Sequence, residues 1–138
     1  MWGRTAGGLT VGQDVARMRD LFPSFTYRRM GGPLTWRGPL QPRERSPLYD
    51  VRIARRNPRP PQVTVVRPAL DPRAPHRYPN GSLCLYYPKD QSWHPSRYIA
   101  ETIVPWTAEW LLFYELWQET GTWWGPEAPH GDVPKRAE

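Results

Sequence analysis

Apolar positions recur at helical spacing near the start of the chain. Val11, Val15, Met18 and Phe22 fall on one face of a helix over Thr10–Phe22, and Pro23 stops it. The period then changes to two. Phe25–Met30 reads as a strand, Gly31-Gly32 as a turn, and Leu34–Leu40 as a second strand ending in the polar loop Gln41–Pro47. From Leu48 to Ala54, Tyr49, Val51 and Ile53 alternate with Leu48, Asp50, Arg52 and Ala54, as in a strand with one buried face. Prolines at 58, 60 and 61 interrupt the chain, and Val63–Val66 makes a short fourth strand. Four strands in succession, joined by tight turns, predict an antiparallel meander.

Pro68–Pro95 shows little periodicity. A structureless stretch of that length is unusual inside a compact domain and marks a functional loop. Helical spacing returns at Ser96, which suits an N-cap. Ile99 and Ile103, then Trp106, Trp110, Phe113 and Trp117, form an apolar stripe that reads as core packing, while Trp123 and Trp124 are candidates for exposure to a partner. Pro105 lies within this stripe. It predicts a kink or a break, with Pro105 in the first turn of a new helix, and Gly121 ends that helix. The fold class expected is α+β: an N-terminal helix, a four-stranded antiparallel meander, a cysteine loop and C-terminal helices. It is read as a single domain over 1–138, with its core at about 10–125 and a loose polar tail over 126–138.

Composition narrows the class. At 138 residues the chain can bury a real core, and eight Trp and seven Tyr offset a modest 38% hydrophobic content. A single cysteine excludes an internal disulfide framework and fits a reducing compartment. The start MWGRTAGGLT lacks the apolar run of a secretory signal. The most apolar stretch, Ile103–Trp117, contains Pro105, Glu109 and Glu115 and is too short to span a bilayer. The expectation is a soluble, cytoplasmic protein with no membrane partner. The net charge of +6 is lopsided: residues 1–61 hold twelve Arg against four acids, whereas residues 62–138 are slightly acidic. The arginines are scattered, only Arg28-Arg29 and Arg55-Arg56 being adjacent. The excess therefore reads as a solvated face or a docking surface for an acidic protein rather than a nucleic-acid site.

The chemistry centres on "NGSLCLYYPKDQSW", which contains Cys84. A lone thiol in a Gly-flanked loop is either a nucleophile or a small buried hydrophobe between Leu83 and Leu85. Around it lie His76, His94 and His130, at spacings of 8, 10 and 36 along the chain, which is not a zinc pattern, so no metal is expected. A Cys–His hydrolase would place its nucleophile at a helix N-terminus and add an orienting Asn or Asp; Cys84 lies well ahead of the helix, which counts against that reading. Lys89, five residues on, is either a solvated loop lysine or a self-acylation site. Gly7-Gly8 and Gly31-Gly32 lack the flanks of a phosphate cradle, so no nucleotide cofactor is expected.

The order of elements resembles the ubiquitin-conjugating enzyme (UBC) fold, and three motifs carry the resemblance over roughly residues 10–105. "RNPRPPQVTVV" is similar to that family's paired-proline segment, with Pro60-Pro61 in place. "APHRYPNGSLCL" is similar to its His-Pro-Asn tripeptide followed by "NGSICL", so that Ala74, Pro75 and His76 fall on the tripeptide and His76 replaces the Asn. "QSWHP" matches "W.P" through Trp93 and Pro95. Beyond Pro95, "IAETIVPWTAEWLLFYELWQETGTWWG" resembles the bacterial conjugating-type proteins of antiphage operons, including CBASS systems built around a cGAS-like nucleotidyltransferase.

The resemblance implies a cysteine acyl transferase. It would carry the C-terminus of a protein partner, the cGAS-like nucleotidyltransferase, as a thioester on Cys84 and pass it to an amine. Activation would be supplied elsewhere, by a separate activating enzyme; the ending "VPKRAE" has no C-terminal Gly and does not suit a conjugated protein. His76 would donate to the oxyanion, act on the amine or the thiol pKa, or brace the loop. His94, Asn80 and Trp93 are candidates for supporting roles. The alternative is a non-catalytic module of the same fold that only binds a partner.

Overall fold

The computed structural model describes residues 9–29, 31–85 and 93–126. Helix α1 spans Val11–Leu21. Thr10 caps it: its hydroxyl accepts the Gln13 N–H at 3.1 Å while the Gln13 side chain accepts the Thr10 N–H at 2.9 Å. The predicted apolar face holds, with Met18 buried and Val11, Val15 and Phe22 packed against the core.

The strands are β1 (Thr26–Arg28), β2 (Leu34–Leu40), β3 (Tyr49–Arg55) and β4 (Gln62–Arg67), in the spatial order β1-β2-β3-β4 with every pair antiparallel. This is the meander expected. Trp36, Val51, Ile53 and Val63 point inward and are essentially solvent-free. Strand β1 is shorter than predicted, and Met30, its expected end, lies outside the described residues. Strand β3 runs one residue later than predicted, because Arg55 continues the inward alternation and finds a partner inside: its guanidinium is ion-paired with Asp14 of α1.

The C-terminal part corrects one expectation. Ser96 caps no helix; its hydroxyl and its N–H both engage His94 Nδ1, at 2.9 and 3.1 Å. A single 3-10 turn covers Ile99–Glu101, and α2 runs from Ile103 to Thr120. Pro105 explains the break. It has no N–H and is tolerated only in a helix's first turn, where donors lack intrahelical partners anyway. Gly121 stops α2 in a left-handed conformation at φ 80°. The chain then turns back, placing Trp123 in the core beside Trp110 and Phe113 while Trp124 stays exposed. Trp110 is buried, and Trp106, Phe113 and Trp117 pack against the core as the stripe predicted.

Two buried carboxylates tie elements together. Asp14 pairs with Arg55 and accepts the Ile99 N–H at 3.1 Å, linking α1, β3 and the 3-10 turn. Glu115 of α2 accepts the Ser46 and Tyr49 hydroxyls at 2.8 and 2.7 Å and the Arg43 guanidinium at 2.9 Å, fixing α2 to the loop before β3. No helix among the described residues is long and apolar enough to cross a membrane.

Candidate active site

Cys84 sits on a miniature hairpin. The run Tyr78–Gly81 makes a turn, with Gly81 N–H donating to the Tyr78 carbonyl at 2.8 Å. Gly81 adopts φ 90°, which a side chain would resist. Asn80 sets this turn: its side-chain oxygen accepts the Ser82 N–H at 2.9 Å and the Ser82 hydroxyl at 2.7 Å. Beyond the turn the two arms pair. Tyr78 N–H donates to the Ser82 carbonyl at 2.8 Å, Arg77 bridges Leu83, and Cys84 N–H donates to the His76 carbonyl at 2.9 Å.

The hairpin is hung on the edge of the sheet. Leu83 N–H donates to the Val63 carbonyl of β4 at 2.9 Å, and the Leu83 side chain is buried. Leu85 packs against the same core. The two leucines therefore anchor the loop on either side of the thiol, as the sequence suggested. At Trp93 the chain is pinned again. Trp93 is buried with the Arg55 guanidinium 5.4 Å from its ring centre, and Arg55 also donates to the Pro95 carbonyl at 2.9 Å. Burial pulls the Arg55 pKa down to about 10, still far above neutrality, so the cation persists.

His76 lies directly opposite Cys84. It is the one described non-glycine residue at positive φ, 60°. Its carbonyl accepts both the Cys84 N–H and, at 3.2 Å, the Trp110 indole N–H. Its ring lies 4.8 Å from that of Trp123. The structure thus brings His76 and Cys84 together, keeps Asn80 at the turn of the same hairpin, where it bonds Ser82, and buries Trp93 beside Arg55. His94 is exposed and engaged with Ser96. Lys89 and His130 lie outside the described residues.

Sequence reasoning missed Tyr78, whose hydroxyl comes near enough to the Cys84 thiol to influence its ionisation. The signal was present: Pro79-Asn80-Gly81 is a turn string, and a turn there folds Tyr78 back toward the thiol. The half-buried Cys84 has its pKa pushed up to about 11 by burial, with the Tyr78 hydroxyl pulling the other way. Burial, followed by the charge of the Cys84 thiolate, also raises the Tyr78 pKa. At neutral pH the thiol is protonated and the phenol is a donor. Alongside the hairpin runs an open groove of about 550 Å³, walled by Pro60, Pro61, Tyr78, Asn80, Leu83 and Leu85, with Arg59 at its rim. The described residues contain no cluster of His, Cys, Asp and Glu that could hold a metal ion.

The model of one protein family, described as Type II CBASS E2 protein, matches residues 14–131. No curated protein matches the chain. The matched span runs from α1 past α2 and contains the hairpin, and the α+β architecture with its four-stranded antiparallel sheet is consistent with such a family.

Proposed function

Because the chain belongs to the Type II CBASS E2 protein family, with a conjugating-enzyme-like role in that antiviral system, we propose that it is a thioester-carrying transferase of UBC fold. Its cargo is the C-terminus of a protein partner, the cGAS-like nucleotidyltransferase of the same system. An activated acyl donor, supplied by a separate activating protein, presents the C-terminal carbonyl. The Cys84 thiolate attacks it, the donor's leaving group departs, and a thioester forms. An acceptor amine then attacks that thioester, loses a proton, and Cys84 leaves as thiolate.

The observation that carries this reading is the placement of Cys84: half-buried, on a hairpin fixed by four backbone hydrogen bonds, between Leu83 and Leu85, which wall an open groove of about 550 Å³. In the reaction Tyr78 stabilises the thiolate as attack begins and as the thiol departs. The Cys84 N–H is already spent on the His76 carbonyl, so the developing oxyanion takes its hydrogen bond from another donor. His76 is assigned first to holding the loop, through its left-handed backbone and its contact with Trp123. The high thiol pKa suits a carrier, since a thiol of high pKa is a poor leaving group and its thioester resists water until a good nucleophile arrives.

The test is to incubate the protein with the nucleotidyltransferase and an activating protein, then run a gel without reductant. An adduct that dithiothreitol cleaves is expected for the wild type. Cys84→Ser should give a dithiothreitol-resistant ester or none, and Cys84→Ala none, both with nearly unchanged thermal stability. A reducible adduct that survives Cys84→Ala, or a large stability loss with transfer intact, would refute the assignment.

A further inference from the structure

The sheet has a second face, turned away from the core and helices. The register sets which side chains share it. Thr26 and Arg28 of β1 lie across from Arg37 and Thr35 of β2; Arg37 lies across from Arg52 of β3; Asp50 lies between Pro39 and Arg67. Arg28, Arg37, Arg52 and Arg67 are thus gathered on one surface, and Asp50 is the only carboxylate among the paired residues there. Asp50 is already shared: Arg37 grips it in two-pronged fashion at 3.0 and 2.6 Å, and Arg67 approaches to 3.3 Å. Among the described residues no carboxylate pairs with Arg52.

Arg52 is therefore poorly chosen for folding alone. It stands directly across an antiparallel pair from another arginine, an arrangement that destabilises a sheet. A Glu at that position would pair with Arg37 instead. Next to this cluster Arg37, Pro39, Leu48, Asp50 and Arg67 wall a shallow depression of about 340 Å³, and Leu48 is 66% exposed.

From this juxtaposition we propose that the outer face of the sheet docks an acidic protein segment, with carboxylates meeting Arg52 and its neighbours and an apolar side chain seated against Leu48. Charge complementarity selects the carboxylates and the exposed Leu48 selects the apolar residue. A nucleic acid fits less well. Among the paired residues of this face no aromatic ring offers a base a stacking surface, and Asp50 in the middle would oppose a phosphate strand. The proposal is independent of the chemistry at Cys84.

Fluorescence polarisation tests it. The probes are a short fluorescein-labelled peptide rich in Asp and Glu with interspersed Leu, its counterpart with Asn and Gln in place of the acids, and a labelled oligothymidine. Wild type and Cys84→Ala should bind the acidic peptide equally, and more weakly as salt rises. Arg52→Glu should weaken binding by about tenfold while its melting temperature stays level or rises. Leu48→Ser should weaken it by roughly threefold to tenfold. The proposal falls if Arg52→Glu leaves the affinity unchanged, if the amide peptide binds as well as the acidic one, or if oligothymidine binds more tightly than either peptide.

Discussion

At the scale of single residues, the thiol and its two neighbours make separable predictions. The reactive form of Cys84 is the thiolate, and burial has raised the pKa to about 11. Its alkylation by iodoacetamide should therefore rise about tenfold per pH unit from neutrality upward and level off only near that pKa. Tyr78→Phe removes the hydroxyl that favours the thiolate, so the profile should shift to higher pH by about one unit. An unshifted profile would show that the phenol does not support the thiolate. His76 is tested through its backbone. The left-handed conformation favours Asn and penalises Ala by roughly 1 kcal/mol. His76→Asn should keep much of the single-turnover discharge rate of a preformed thioester, and His76→Ala should lose most of it. Both should keep the wild-type pH dependence, since a positioning residue changes the rate without adding a titration. Discharge by His76→Ala at the wild-type rate would remove the residue from the mechanism.

At the scale of elements, the buried Asp14–Arg55 pair connects α1 and β3, while each partner reaches the chain that follows the cysteine loop, Asp14 at Ile99 and Arg55 at Pro95. Removing one partner leaves the other charged inside. Asp14→Ala should cost about 3–5 kcal/mol in denaturant unfolding, and adding Arg55→Met should recover part of that loss. Two losses that simply add would show that the pair is not coupled. Most elements were legible beforehand, because one-face burial imprints a period: Met18 and its helical neighbours, or Tyr49, Val51 and Ile53, could hardly be read otherwise. The start of α2 was not. Ser96 looked like a cap, but its hydroxyl had a nearer partner in His94, and that competition is not written in residue type. The hairpin was only half legible. Asn80-Gly81 marks the turn, yet the Leu83–Val63 hydrogen bond that hangs it on β4 joins segments twenty residues apart and follows no local pattern.

At the scale of the whole molecule, the basic excess of residues 1–61 has a place. Part of it, Arg28, Arg37 and Arg52, emerges on the outer sheet face through β1, β2 and β3, while Arg55 is used inside on Asp14 and the partly buried Arg43 on Glu115. The cysteine hairpin lies at the β4 edge. A partner attracted by the basic face should therefore load Cys84 faster at low ionic strength. The second-order loading rate should fall by roughly tenfold or more between low salt and a few tenths molar, with little change in the discharge of the preformed thioester. Equal salt dependence of the two steps would argue against steering.

The depth at which the thiol is held has one more consequence, for damage rather than transfer. Peroxide attacks thiolates, and with a pKa of about 11 roughly one Cys84 in ten thousand is ionised at neutral pH. Sulfenic acid formation should therefore be slow, and in the proposed carrier role the burial that holds the sulfur on its hairpin would also keep an idle thiol from being spent on an oxidant.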